Sequence, residues 1–210
     1  PPRLYERSFR RTSQRIVIMA RRIKERKLKN PAITIIGEGA TERYYFTHLK
    51  LLNGYNYVCK PRNFAEQNID DIQRQVERVL ADDGIAVCVF DVDVTRIHQA
   101  DKVKFDAMRR RYAGNPSVII CESMPSIEFW FLLHYLNTNR YFASSDDVIA
   151  LLHRFMPNFS KQQSFLSRDN WVATLLADNK LSTAISNAIA IGDEGESYSN
   201  LHKLFALLNS

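Results

Sequence analysis

The chain has 210 residues, 45% of them hydrophobic, and a formal net charge of +6. That is enough apolar chain for one substantial core, or for one core with a small appended lobe. No apolar run approaches the roughly 18 to 20 residues of a membrane span, and the apolar stretch Ile16 to Ala20 is too short for a secretory segment, so a soluble protein without membrane association is expected.

The positive charge is local. Residues 1–29 hold eleven Arg and Lys against two Glu, which is +9, so the remaining residues sum to −3. This N-terminal arm, residues 1–30, interleaves Arg7, Arg10, Arg11 and Arg15 with Tyr5 and Phe9, a mixture suited to phosphate backbones and base stacking. A solvated tail has the same composition. Cys59, Cys88 and Cys121 are an odd set without Cys-x-x-Cys or Cys/His metal spacing, and each falls in a strand-like segment. They read as reduced core residues of a cytoplasmic protein.

After Pro31, Ala32 to Ile36 reads as a continuous buried strand, Tyr44 to Leu52 as a helix stopped by Asn53-Gly54, and Tyr55 to Lys60 as a second strand. Ile69, Ile72, Val76, Val79 and Leu80 recur at helical spacing up to Asp82-Asp83-Gly84. Ile85 to Phe90 is a third, wholly apolar strand; residues 100–112 are helical and polar; Ser117 to Cys121 is a fourth strand. The alternation β-α-β-α-β-α-β over residues 31–123 implies a mostly parallel sheet with helices on its faces. Strand order is not legible at this level. From Met124 onward only helices are expected, the first opening at Pro125 with Ile127 to Leu136 as its body. Ser145 to Phe155, Asp169 to Ala177, Leu181 to Ile191 and Leu201 to Leu208 follow, so residues 124–210 read as a helical lobe packed on the α/β core.

Two acidic motifs stand where apolar strands run out: Gly37-Glu38-Gly39-Ala40-Thr41-Glu42, and Phe90-Asp91-Val92-Asp93. Open α/β sheets gather ligands at that position. If the two strands are parallel neighbours, Glu38, Asp91 and Asp93 converge, with Glu122 near the same edge. Carboxylates so placed repel one another unless a cation neutralises them, and oxygen donors select a hard divalent ion. Asp91 and Asp93 are two apart, so on an extended backbone they face the same way and can share that ion. Glu42 and Glu128 each sit in the first turn of an expected helix, where an acid also complements the dipole. His134 lies on an apolar helical face, while Arg96, His98 and Lys102 follow the Asp-x-Asp turn and could hold a phosphate. Phe129, Trp130 and Phe131 read as core.

An apolar strand, Glu-Gly, two further strands and Asp-x-Asp at a strand end is the layout of the Toprim fold. Three segments sharpen the likeness. Ile35-Ile-Gly-Glu38-Gly-Ala-Thr-Glu42-Arg-Tyr-Tyr-Phe46 resembles the opening motif of the RloB-like family, a Toprim-related group from prokaryotic defence loci. Ser123-Met-Pro125-Ser-Ile-Glu128-Phe-Trp130-Phe-Leu-Leu-His134-Tyr is similar to that family's Asn-Pro-Cys-Phe-Glu-x-Trp-x-Leu-Leu-His block, with Met124 and Ser126 where Asn and Cys are usual. Tyr198 to Leu204 resembles its closing segment, so the likeness spans about residues 32–207.

The resemblance implies a Toprim-like α/β fold and a Mg2+-dependent nuclease, with Mn2+ as a substitute ion. It makes Glu38, Asp91 and Asp93 catalytic, Glu38 in acid/base chemistry and the two Asp as Mg2+ ligands, and adds Glu128 to the metal set; Glu42, one helical turn from Glu38, is expected near the same ion. It adds a positioning role for His134, while the substrate contacts of Arg96, His98 and Lys102 rest on their place after the Asp-x-Asp turn. It also implies antiphage defence by abortive infection through damage to DNA or RNA, tRNA included. The rival expectation is a nucleic-acid-binding or sensing subunit that works with a separately encoded ATPase or restriction-modification partner; a homodimer is compatible with either. A primase-like nucleotidyl transferase ranks last, since no zinc-binding segment or topoisomerase tyrosine domain is evident. A Walker loop, a Gly-x-Ser-x-Gly elbow and a His-Glu-x-x-His pair are all missing from the sequence, which argues against ATPase, serine-hydrolase and zincin chemistry.

Overall fold

A computed structural model describes residues 31–60, 68–92 and 99–209, and Ala32–Ser210 cluster as one compact unit. Arg7, Arg10, Arg11, Arg15, Asp93, Arg96 and His98 lie outside the described residues.

Predominantly apolar segments form the sheet: β1 (Ile33–Ile36), β2 (Tyr57–Lys60), β3 (Ile85–Asp91) and β4 (Val118–Met124). Crossover helices separate them, namely α1 (Ala40–Asn53), α2 (Ile69–Ala81) and α3 (Gln99–Tyr112), so all four strands run parallel. α1 ends at Gly54, whose φ of 68° is the left-handed conformation that glycine adopts without a Cβ penalty. Asn68 opens α2 by accepting from the Asp71 amide at 2.9 Å.

The strand order is β2-β1-β3-β4-β5. The connection from β1 leads one way, to β2, and the connection from β3 leads the other way, to β4. The carboxyl ends of β1 and β3 therefore flank the topological switch point, where a crevice opens for ligands.

β5 (Tyr198–Ser199) corrects the expectation of helices alone beyond Met124. It pairs antiparallel with β4 through Ser123 opposite Ser199 and Met124 opposite Tyr198. Two residues are too few to show a periodic pattern; the Ser123 and Ser199 hydroxyls, 2.8 Å apart and buried, hold the pair instead.

The other elements are α4 (Ile127–Leu133), α5 (Ser145–Leu152), α6 (Gln163–Leu166), α7 (Asn170–Leu176), a 3-10 turn (Ala177–Asn179), α8 (Lys180–Ile191) and α9 (His202–Leu208). α4 begins at Ile127, with Ser126 as its N-cap, two residues later than a start at Pro125. Alternation along the strands divides two cores. Ile35, Val87, Val89 and Cys121 face α1 and the C-terminal helices, while Ile36, Ala86, Cys88, Phe90 and Val118 face α2 and α3. Trp130, fully buried, joins the C-terminal helices to α1 by donating to the Tyr45 hydroxyl at 2.9 Å and stacking on Phe205. The three cysteines are free and sit in strands, Cys88 and Cys121 fully buried.

Candidate functional site

Glu38 lies in the turn from β1 to α1, and Asp91 is the last residue of β3. β1 ends opposite Cys88, so β3 continues three residues further and the turn folds over its end. The Asp91 amide donates to Glu38 Oε2 at 3.4 Å. Gly37 permits the fold-over, because a Cβ there would stand 3.0 Å from the Cβ of Glu42.

Asp91 also reaches α4: its Oδ1 accepts from the Ile127 amide at 2.8 Å, satisfying one of the orphan donors of that helix's first turn. Ser126, the N-cap by position, makes no side-chain cap and instead donates to Glu128 Oε2 at 2.6 Å. The capping task has passed from Ser126 to Asp91, which fixes where α4 starts. The serine freed by this exchange orients Glu128.

Glu42 and Glu128 are buried, the latter with no exposure at all. Lys161, between α5 and α6, brings its ammonium to 3.1 Å from Glu128 Oε1, off the axis of a well-formed hydrogen bond. Burial, then the charge of Glu128, pushes the Glu42 carboxyl up to about 7, against a smaller pull from Lys161. Asp91 is raised well above the usual carboxylate range by burial, and then by Glu42, Glu128 and Glu38. Burial alone would lower the Lys161 ammonium, but Glu128, Asp91 and Glu42 outweigh it and hold the pKa up. Three carboxylates thus act on one lysine at the switch point, and a fourth, Glu38, joins them through Asp91.

Other expected site residues lie elsewhere. Glu122, expected near the same edge, stands opposite Phe90 in register and so faces the α3 side of the sheet. There it accepts from the Tyr198 hydroxyl at 2.9 Å and pairs with Arg109 at 3.2 Å. Lys102 is on that side too, bonded to Asp106 at 2.9 Å and lining a cavity of about 250 Å3 with Glu122 and Tyr198. The structure does not bring it to the carboxylates. His134, expected to position substrate, is buried six residues beyond Glu128, about 9 Å along the helix. Its Nδ1 is 3.0 Å from the Trp130 carbonyl, and burial lowers its pKa to about 4, so it packs as a neutral core group. Lys161 was not visible from the sequence: it lies in a polar loop with no motif around it.

Among the described residues, no group of three or more His, Cys, Asp or Glu could hold a metal ion by itself. The donor chemistry nevertheless suits a hard divalent cation. All four side chains offer oxygen, two have raised pKa values that a cation would relieve, and the buried Oε1 of Glu128 lacks a properly directed donor.

Fold and site define an α/β protein with an acidic centre at the switch point of a mostly parallel sheet. A family model described as RloB-like protein matches residues 33–208, and the chain belongs to that family. No curated protein and no solved structure matches the chain.

Proposed function

We propose that this chain is a divalent-metal-dependent nuclease of Toprim type, cleaving phosphodiester bonds in nucleic acid in defence against phage. The observation that carries the reading is the meeting of Glu38 with Asp91 at the β1/β3 switch point, within the electrostatic reach of Glu42 and Glu128. Membership in the RloB-like family supports it. No helix among the described residues is long and apolar enough to cross a membrane.

In this mechanism Asp91 and Asp93, with help from Glu42 or Glu128, would hold Mg2+ or Mn2+. When bound, the ion supplies charge that screens the anionic phosphodiester and favours an attacking hydroxide and a departing alkoxide. The chain's own residues do the rest. Glu38 shuttles the proton between attacking water and solvent. Asp91 is held in place by the Ile127 amide, which fixes its Oδ1. Ser126 keeps Glu128 from rotating away. Lys161 offers a positive charge that neutralises Glu128 in the resting protein and can meet a phosphoryl oxygen when substrate arrives. The basic arm adds sequence-independent affinity for the strand.

The test is to incubate purified wild type and Asp91→Ala with total tRNA, single-stranded DNA and plasmid in Mn2+. Cleavage of at least one substrate by wild type, lost in the variant, is the expected result. Intact substrates throughout would favour a binding or sensing subunit that acts with a separate ATPase.

A further inference from the structure

The acidic centre poses an electrostatic problem for any nuclease. The described site presents four carboxylates and one lysine, so a polyanionic strand gains from cationic contacts on the folded unit beyond the bound ion and the basic arm. The C-terminal helices contain such a feature. The segment before α5 and the face of α5 enclose an open cavity of about 400 Å3, within the range of small-ligand pockets, lined by Arg140, Tyr141, Phe142, Asp147 and Arg154 among others.

Both arginines are exposed, and neither forms an ion pair with any described residue. The one acid in the lining is engaged: Asp147 Oδ2 accepts from the Ala143 amide at 3.1 Å and the Ser144 hydroxyl at 3.4 Å. Arg140 is pre-set. Its guanidinium lies 4.6 Å over the ring of buried Phe142, a cation-π contact that fixes the group while leaving its N–H edge for a ligand. Phe142 in turn packs edge-on against Phe129, 6.0 Å between ring centres, and Phe129 directly follows Glu128. The wall of the cavity thus packs against the same helix, α4, that carries Glu128. Tyr141 stands beside the arginines with 58% of its surface exposed, a large share for an aromatic side chain.

We propose that this cavity is a phosphate subsite for the nucleic-acid strand outside the scissile bond, with Arg140 and Arg154 contacting phosphodiester oxygens and Tyr141 offering a face on which an unpaired base stacks. Two uncompensated guanidinium groups call for an anion of fixed geometry, and the exposed ring calls for a flat partner; a single-stranded nucleotide is both. The substrate is therefore single-stranded nucleic acid or an unpaired region of a folded RNA. The proposal rests on the nuclease reading for its placement near a cleavage centre, but its test does not depend on cleavage.

A fluorescently labelled single-stranded oligonucleotide is titrated with the full chain in EDTA over a series of salt concentrations, read by anisotropy. Arg140→Gln with Arg154→Gln should weaken binding about tenfold and flatten the salt slope by about 1.4, from about 0.7 per phosphate contact on a single strand. Tyr141→Ala should weaken binding without changing the slope. The same charge removal at Arg74 and Arg78 on α2 serves as control and should leave both quantities unchanged. The subsite is overturned if the wild type binds no strand, if the arginine pair leaves affinity and slope unchanged, or if the α2 pair has the same effect. Strand binding through the arginines in a protein that cleaves nothing would sink the nuclease reading and leave the subsite standing.

Discussion

Lys161 and Glu128, thirty-three positions apart in sequence, form an ion pair at 3.1 Å in which the carboxylate has no solvent exposure and the lysine is 44% exposed. Breaking one side of such a pair leaves a buried charge without compensation. Lys161→Met should therefore destabilise the chain by about 2 kcal/mol, below the range for fully buried pairs because water reaches the lysine. Adding Glu128→Gln should recover most of that loss, a coupling that denaturant unfolding of the four proteins in the double-mutant cycle would measure. Additive losses would show that the lysine is only a surface group.

Glu42 predicts a stability effect that depends on pH. Its carboxyl is raised to about 7 in the folded chain, so its stabilising contribution is full below about 4.5 and is lost as pH rises through 7. Above that point the buried charge opposes folding by up to about 3 kcal/mol. Glu42→Gln should unfold at a higher temperature than wild type at pH 8, with the gap closing toward pH 4.5. Mg2+ should raise the wild-type midpoint more than the variant's. An equal gap at both pH values would contradict the assignment.

Asp91 has two roles that substitution separates. Asp91→Asn keeps an acceptor for the Ile127 amide and removes the repelled charge; Asp91→Ala removes both. The asparagine protein should be about 1 kcal/mol more stable than the alanine protein, the typical value of a helix cap, while neither cleaves. Chemical denaturation decides, and equal stabilities would mean that the contact does not position α4.

His134 runs the opposite way from Glu42. Its pKa is lowered to about 4 by burial, so it remains neutral in the folded chain while the unfolded chain protonates below about 6.5. Stability should fall as pH drops from 6.5 to 4, over a window in which Glu42 pushes it upward. The difference between wild type and His134→Gln isolates the histidine and should shrink as pH falls. Strand cleavage at pH 7.5 should survive in that variant if it folds. Loss of cleavage from a folded protein would restore a substrate role for His134.

The central sheet was legible because its inner strands carry apolar runs, as β3 does from Ile85 to Phe90, while the edge strand β2 showed itself by aromatic and β-branched residues between a turn and a helix. Glu38 and Asp91 were legible because each follows an apolar run close to its end, although the same pattern placed Glu122 inside β4 rather than at a strand end. Other features needed tertiary information. Glu122 differs from Ser123 by a single alternation step, and sequence cannot say which face a doubly buried strand turns toward α3. β5 has two residues and is defined by its partner. The start of α4 depends on Asp91, thirty-six residues upstream, supplying an acceptor at Ile127. Lys161 enters the site by long-range folding alone.

The most direct measurement is the single-turnover rate of strand cleavage in Mn2+ by wild type and Glu38→Gln, with thermal unfolding midpoints recorded for both. If the acids at the β1/β3 switch point cleave phosphodiesters, Glu38→Gln should be slower by a factor of about 100 or more while remaining folded. A folded Glu38→Gln protein that cleaves within about twofold of wild type, where general acid–base roles are worth orders of magnitude, would contradict it.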